Sequence, residues 1–174
     1  MITASVIQTN AGWDKKLLKM LPQLAKKHIA VGFPMGKAEV TQPHPGYDGG
    51  MSILDVAMAN EYGTETQPRR PFMNQSRAPL EKMFKRAQRS LAREAKKAME
   101  SGQMQRVNLT PALEKIALKA ESVVRQTIMD GDYAPNAPAT IKRKQKGKSG
   151  IKTRPLVDSG DMHKYVTGVV RDAK

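Results

Sequence analysis

Residues 59–76 read Ala-Asn-Glu-Tyr-Gly-Thr-Glu-Thr-Gln-Pro-Arg-Arg-Pro-Phe-Met-Asn-Gln-Ser, and this stretch decides how the elements on either side of it meet. Gly63 takes a positive φ at no steric cost, while Pro68 and Pro71 fix their own φ and push the residues before them toward extended backbone. The stretch is therefore a rigid elbow between an apolar segment and the longest helical pattern in the chain. It is a junction, not an active site. Arg69 and Arg70 lie between the prolines, and the apolar pair Phe72 and Met73 follows the second.

Upstream of the elbow, Ser52 is an N-cap for Ile53, Val56, Ala57 and Ala59, which predicts a short helix over 52–62 stopped by Gly63. A Gly- and Pro-rich loop over 34–50 precedes it and is longer than ordinary connections. The β-branched run 28–33, closed by Pro34, predicts a strand. Trp13, Leu17, Leu18, Leu21 and Leu24 alternate with lysines at helical spacing over 13–26, with Pro22 as a kink or stop.

Downstream, Pro79 sits in the first turn of a helix expected over 79–101. Its apolar stripe is Leu80, Met83, Phe84, Ala87, Leu91, Ala95, Ala98 and Met99, its stop is Gly102, and its other face is Lys82, Lys85, Arg86, Arg89, Arg93, Lys96 and Lys97. Thr110 and Pro111 open another helix, with Leu113, Ile116, Ala117, Ala120, Val124 and Ile128 on one face and Gly131 at its end. Two long helices with a short link pack antiparallel. The segment 133–154 is expected as a flexible loop, because 141–154 holds seven basic residues and no acid. A turn over 155–160 leads to a helical turn and a closing strand over 165–170.

The chain has 174 residues, enough for one domain over 1–174 with 34–50 and 133–154 as flexible or assembly-ordered loops. Aromatics are only 5% and methionines number 11, so flexible thioether side chains fill volume that rings usually occupy. The positions expected to build the core are Val31, Phe33, Tyr62, Phe72, Phe84, Leu91, Ile116 and Val124. A formal net charge of +14 predicts attraction to polyanions or to acidic protein surfaces. There is no cysteine, which excludes disulfides and thiolate metal sites. Neither a secretory leader nor a membrane span is expected, since no apolar run approaches the roughly 20 residues a bilayer requires.

Little in the sequence points to catalysis. His28, His44 and His163 are not spaced to place two ligands on one face. Asp158 and Asp161, near His163, suit a metal-dependent nuclease less well than ordinary turn and N-cap chemistry. The glycines of 32–50 fit neither a dinucleotide fingerprint nor a phosphate loop. The scattered aromatics do not form the stacking platform of a single-strand groove. The strongest electrostatic signal is the basic run, which reads equally as a solubilising loop or as a segment that orders against a partner.

Four stretches, in order, resemble one family, the tail-completion and head-tail joining (neck) proteins of tailed bacteriophages. They are Ala-Val-Gly-Phe-Pro (30–34); Val-Ala-Met-Ala-Asn-Glu-Tyr-Gly-Thr (56–64); Arg-Arg-Pro-Phe-Met (69–73); and Ala-Pro-Ala-Thr-Ile-Lys (137–142), leading to Pro-Leu-Val-Asp-Ser-Gly-Asp-Met (155–162). The resemblance implies an α+β fold of long amphipathic helices packed on a small, mostly antiparallel sheet, with long flexible loops. It implies a structural virion protein without catalytic residues, metal or cofactor: a homo-oligomeric ring in the neck, made in the host cytoplasm. Its neighbours would be portal or adaptor proteins and tail-terminator or tail-tube proteins, with nonspecific contact to DNA in the lumen and no membrane partner. The residues expected at assembly interfaces are Arg69, Arg70, Lys142, Arg143, Lys144, Lys146 and Lys148. A nonspecific nucleic-acid-binding protein is the alternative that the charge allows.

Overall fold

The computed structural model describes residues 26–45, 47–101, 110–146, 153–157 and 160–172. The pattern over 13–25, the stop at Gly102, Lys148 and the pair 158–159 lie outside them. The fold is α+β. Strands β1 (Lys27–Gly32) and β2 (Thr167–Asp172) pair antiparallel with Ile29 opposite Val170 and Val31 opposite Gly168. Lys27 Nζ meets Asp172 Oδ1 at 2.8 Å across the outer end of the ladder. That hydrogen bond, with the attraction behind it, holds the Asp172 carboxyl below its ordinary value.

The segment 34–50, expected as an open loop, contains a one-turn helix α1 (Ala38–Thr41), which buries Val40, and a 3-10 turn at Asp48–Gly50. Helix α2 (Ile53–Tyr62) begins at Ser52 as expected. The Ser52 hydroxyl accepts the Asp55 N–H, and the Asp55 carboxylate accepts the Ser52 N–H at 2.9 Å, a reciprocal capping box. These bonds lower the Asp55 pKa, the Ser52 side chain contributing most. Gly63, at φ 78°, closes the helix by donating its N–H to Ala59 O.

The long helix α3 runs Phe72–Glu100, so it starts a full two turns before the expected position and carries Pro79 inside it. The proline rule failed here because the first turns are fixed from outside. Phe72 and Ser76 are buried, and the Ser76 hydroxyl bonds back to Phe72 O at 2.7 Å. Their packing offsets the hydrogen bond that Pro79 cannot donate to Gln75 O. Helix α4 (Thr110–Asp130) packs against α3 and against both strands, and buries Ile116, Ala117, Ala120, Val124 and Ile128. The basic segment expected as a loop contains helix α5 (Pro138–Lys146) instead, and α6 (Asp161–Tyr165) leads into β2.

Ala57, Phe72, Val124, Ile128, Met162 and Val166 form the core, with Val31, Phe33, Met73 and Leu80 partly buried against it. Phe33 meets Phe72 edge to face at 6.0 Å. Of the expected core positions, Phe72, Ile116 and Val124 are buried, and Val31, Phe33, Phe84 and Leu91 are half-buried. Tyr62 is not in the core: it is 71% exposed. Helix α2 buries Ile53, Ala57 and Asn60, and Tyr62, two residues beyond Asn60, falls on the opposite side.

Candidate functional site

The elbow closes around Asn60. Its amide donates to Val56 O at 2.7 Å, and its Oδ1 accepts from Gln67 Nε2 at 2.6 Å and from Arg70 Nη1 at 3.3 Å. The Asn60 carbonyl accepts the Arg70 N–H at 2.6 Å, so one residue holds both backbone and side chain of the second arginine. Thr64 and Gln67 exchange backbone hydrogen bonds and make the bend between them rigid.

Arg70 then reaches across the chain. Its Nε donates to Ala134 O at 2.9 Å and its Nη2 to Pro135 O at 3.1 Å, which ties the elbow to the exit of α4. The side chain is 6% exposed, and its partners among the described residues are all amide oxygens. Burial lowers its pKa, and the planar guanidinium spends its fork on amide oxygens. Arg70 therefore cannot present its charge to a neighbour, and its expected place at an assembly interface is corrected to a structural one. Arg69 stays exposed, with its Nε on Glu61 O at 3.1 Å.

Glu61 supplies the other half of the corner. Its carboxylate accepts the N–H groups of Met73 at 2.8 Å and Asn74 at 3.2 Å, two donors that the first turn of α3 leaves without intrahelical partners. A negative charge there also faces the positive end of the helix dipole. Nearby, the Tyr133 hydroxyl donates to Thr127 O, and burial, reinforced by the Glu61 charge, pushes its pKa well up.

A second latch fastens the chain after α5. Asn136 Nδ2 donates to Thr153 O and Arg154 O, while Arg154 Nη1 reaches Met129 O and Asp130 Oδ1, each at 2.9 Å. Lys144, only 7% exposed, donates to Arg154 O at 3.2 Å and to Val157 O. Like Arg70, it is a buried cation on carbonyl oxygens and not a surface charge, so its interface reading is also corrected. Lys142 is exposed; Arg143 and Lys146 lie on α5, their side chains undescribed, and Lys148 lies beyond the described residues.

The corner and the latch beside it bring together stretches far apart in the chain. Phe33 packs on Phe72, Asn60 and Arg70 bond, Met162 Sδ lies 3.9 Å from Asn60 Nδ2, and Val157 receives Lys144. No family model, curated protein or solved structure matches this chain. The corner's chemistry must therefore be read from its own atoms. Most of its polar side chains are engaged in holding backbone.

His44 Nε2 lies 3.6 Å from Asp161 Oδ2, and His163 Nδ1 is 3.4 Å from Gly160 O. Among the described residues, no three His, Cys, Asp or Glu side chains gather as metal ligands, and no helix is long and apolar enough to cross a membrane. Sequence reasoning missed Glu61 as a cap, because its partner helix begins eleven residues later and was placed too far downstream. It also missed the contact of Gly168 with α4, whose only signal is a glycine inside a β-branched run.

Proposed function

We propose that this chain is a structural virion protein of a tailed phage or prophage, a ring subunit in the neck that completes the tail or joins it to the DNA-filled head. The supporting observation is that residues of 30–34, 56–64 and 69–73, with Met162 from the last stretch, meet at one corner whose polar side chains bond backbone. A subunit in a pressurised connector transmits load, and a hydrogen-bonded corner resists changes in the angle between α2 and α3. Electron microscopy of the assembled particle tests the reading: a ring of this chain between head and tail is expected, flanked by portal or adaptor and tail-terminator or tail-tube proteins. Its absence from that layer would reject the proposal.

One observation favours nonspecific nucleic-acid binding as a second reading. The face of α3 from Lys82 to Lys97 is exposed and basic, as a phosphate-tracking surface requires. That reading predicts tight duplex binding by the purified chain, weakening steeply as salt rises.

A further inference from the structure

The outer face of α2 carries apolar side chains that nothing among the described residues covers. Met58 and Tyr62, one turn apart, are 51% and 71% exposed, and Met51 stands just ahead of the helix at 43%. Asp55, on the same face, and Glu65, just past the helix, are exposed acids. The charge is segregated along the sequence: in residues 34–66, Glu39, Asp48, Asp55, Glu61 and Glu65 stand against Lys37. The distal part of α3 has the opposite character. Lys82, Lys85, Arg86, Arg89, Arg93 and Lys96 are exposed at helical spacing, and Arg89 has no acidic partner among the described residues.

We propose that these two surfaces bind each other between copies, the acidic and apolar face of α2 on one chain receiving the basic arm of α3 on the next. The occupant is a second copy of this chain because the two surfaces complement each other and cannot meet within one molecule. α2 ends at the start of α3, and Arg89 lies about 25 Å further along that helix at 1.5 Å per residue. Copies with a net charge of +14 repel in most orientations, so the face-to-arm approach is selected. At contact, an arginine guanidinium stacks over the Tyr62 ring, the aliphatic stems of Lys and Arg cover Met58 and Met51, and the charged ends reach Asp55 and Glu65.

Such a contact joins two different surfaces, so it is heterologous and builds a ring or an open filament, not a two-fold dimer. The inference rests on the ring reading for its biological setting, while its test uses the purified chain alone.

Sedimentation of the full chain at low and raised salt provides that test, with two double variants whose changes are at exposed positions. Met58→Lys with Glu65→Lys reverses the face; Arg89→Gln with Arg93→Gln neutralises the arm. The wild type is expected to self-associate with concentration at low salt and to dissociate as salt rises, and each variant alone to stay monomeric. Mixed, the variants keep one intact face and one intact arm, and should form 1:1 dimers and nothing larger. A wild type that stays monomeric, or a mixture that does, overturns the proposal. So does an arm variant that loses binding to a short DNA duplex yet self-associates like the wild type, which makes the arm a phosphate surface. If the dimers form but the particle shows no neck ring, the contact stands and the virion reading falls.

Discussion

The Glu61 carboxylate caps a helix to which it does not belong, accepting the Met73 N–H at 2.8 Å and the Asn74 N–H at 3.2 Å at the start of α3. Capping substitutions cost about 0.5–2 kcal/mol, and two donors are involved here. Glu61→Ala is expected to lower stability by about 2 kcal/mol in urea unfolding. Glu61→Gln, which keeps an acceptor and loses the charge, should cost less than half of that. Equal stability of Glu61→Ala and the wild type would show that α3 starts without this cap.

Arg70 leads to a sharper prediction. Removing it leaves Ala134 O and Pro135 O without this donor at a part-buried site and Asn60 Oδ1 with Gln67 Nε2 alone, and unsatisfied buried groups cost about 1–3 kcal/mol each. Arg70→Met should destabilise by about 3 kcal/mol. Arg70→Lys should recover only a minor part, because a point-like ammonium cannot span both carbonyls and the amide. The neighbouring Arg69→Met, at an exposed position, should stay within about 0.5 kcal/mol of the wild type. Denaturant midpoints of the three variants give the ordering directly.

Gly168 lies so close to α4 that a Cβ there would stand 2.1 Å from Ala117 O. No side-chain rotation relieves a clash with backbone, so Gly168→Ala must push β2 away from the helix. The expected loss is about 3 kcal/mol, at the upper end of overpacking costs. Gly36→Ala, where nothing lies within 4 Å, serves as the control and should be neutral in thermal unfolding.

The pH dependence follows from Asp55 and Asp172. Both carboxylates are held below their ordinary value in the folded chain, Asp55 by Ser52 and Asp172 by Lys27. The unfolded chain thus binds protons first as pH falls, and the stabilisation, complete above the ordinary carboxylate range, is lost on descending through the lowered folded values. Thermal midpoints of Asp55→Asn and Asp172→Asn should lie below the wild type at neutral pH and converge on it in acid. Parallel curves at every pH would contradict this.

The local features of the fold were legible in the residues. Ser52 with Asp55, Gly63 after Tyr62, and the apolar face of 110–130 each identify an element through one short-range rule. What stayed hidden depends on partners distant in sequence. Pro79 sits inside α3 because Glu61 and the burial of Phe72 fix the turns before it, and no local pattern carries that information. Arg70 and Lys144 looked like surface charge because density of basic residues says nothing about which carbonyl oxygens they reach. Tyr62 lies outside the core for a simpler reason: Ile53, Ala57 and Asn60 set the inward side of α2, and an aromatic ring at a helix end does not by itself show which side it takes.

The two-stranded ladder ties Lys27 to Asp172 across 145 positions. On a ribosome, β1 emerges long before its only partner strand among the described residues, whereas α2, α3 and α4 draw on local contacts and can form as they appear. Among the described elements the sheet is then the last to close, and until synthesis reaches 167–172 the strand-facing side of α4 stays open. Completion of the fold thereby waits for residues 167–172, and a nascent chain that stalls before β2 offers α4 and the bare edge of β1 to other chains.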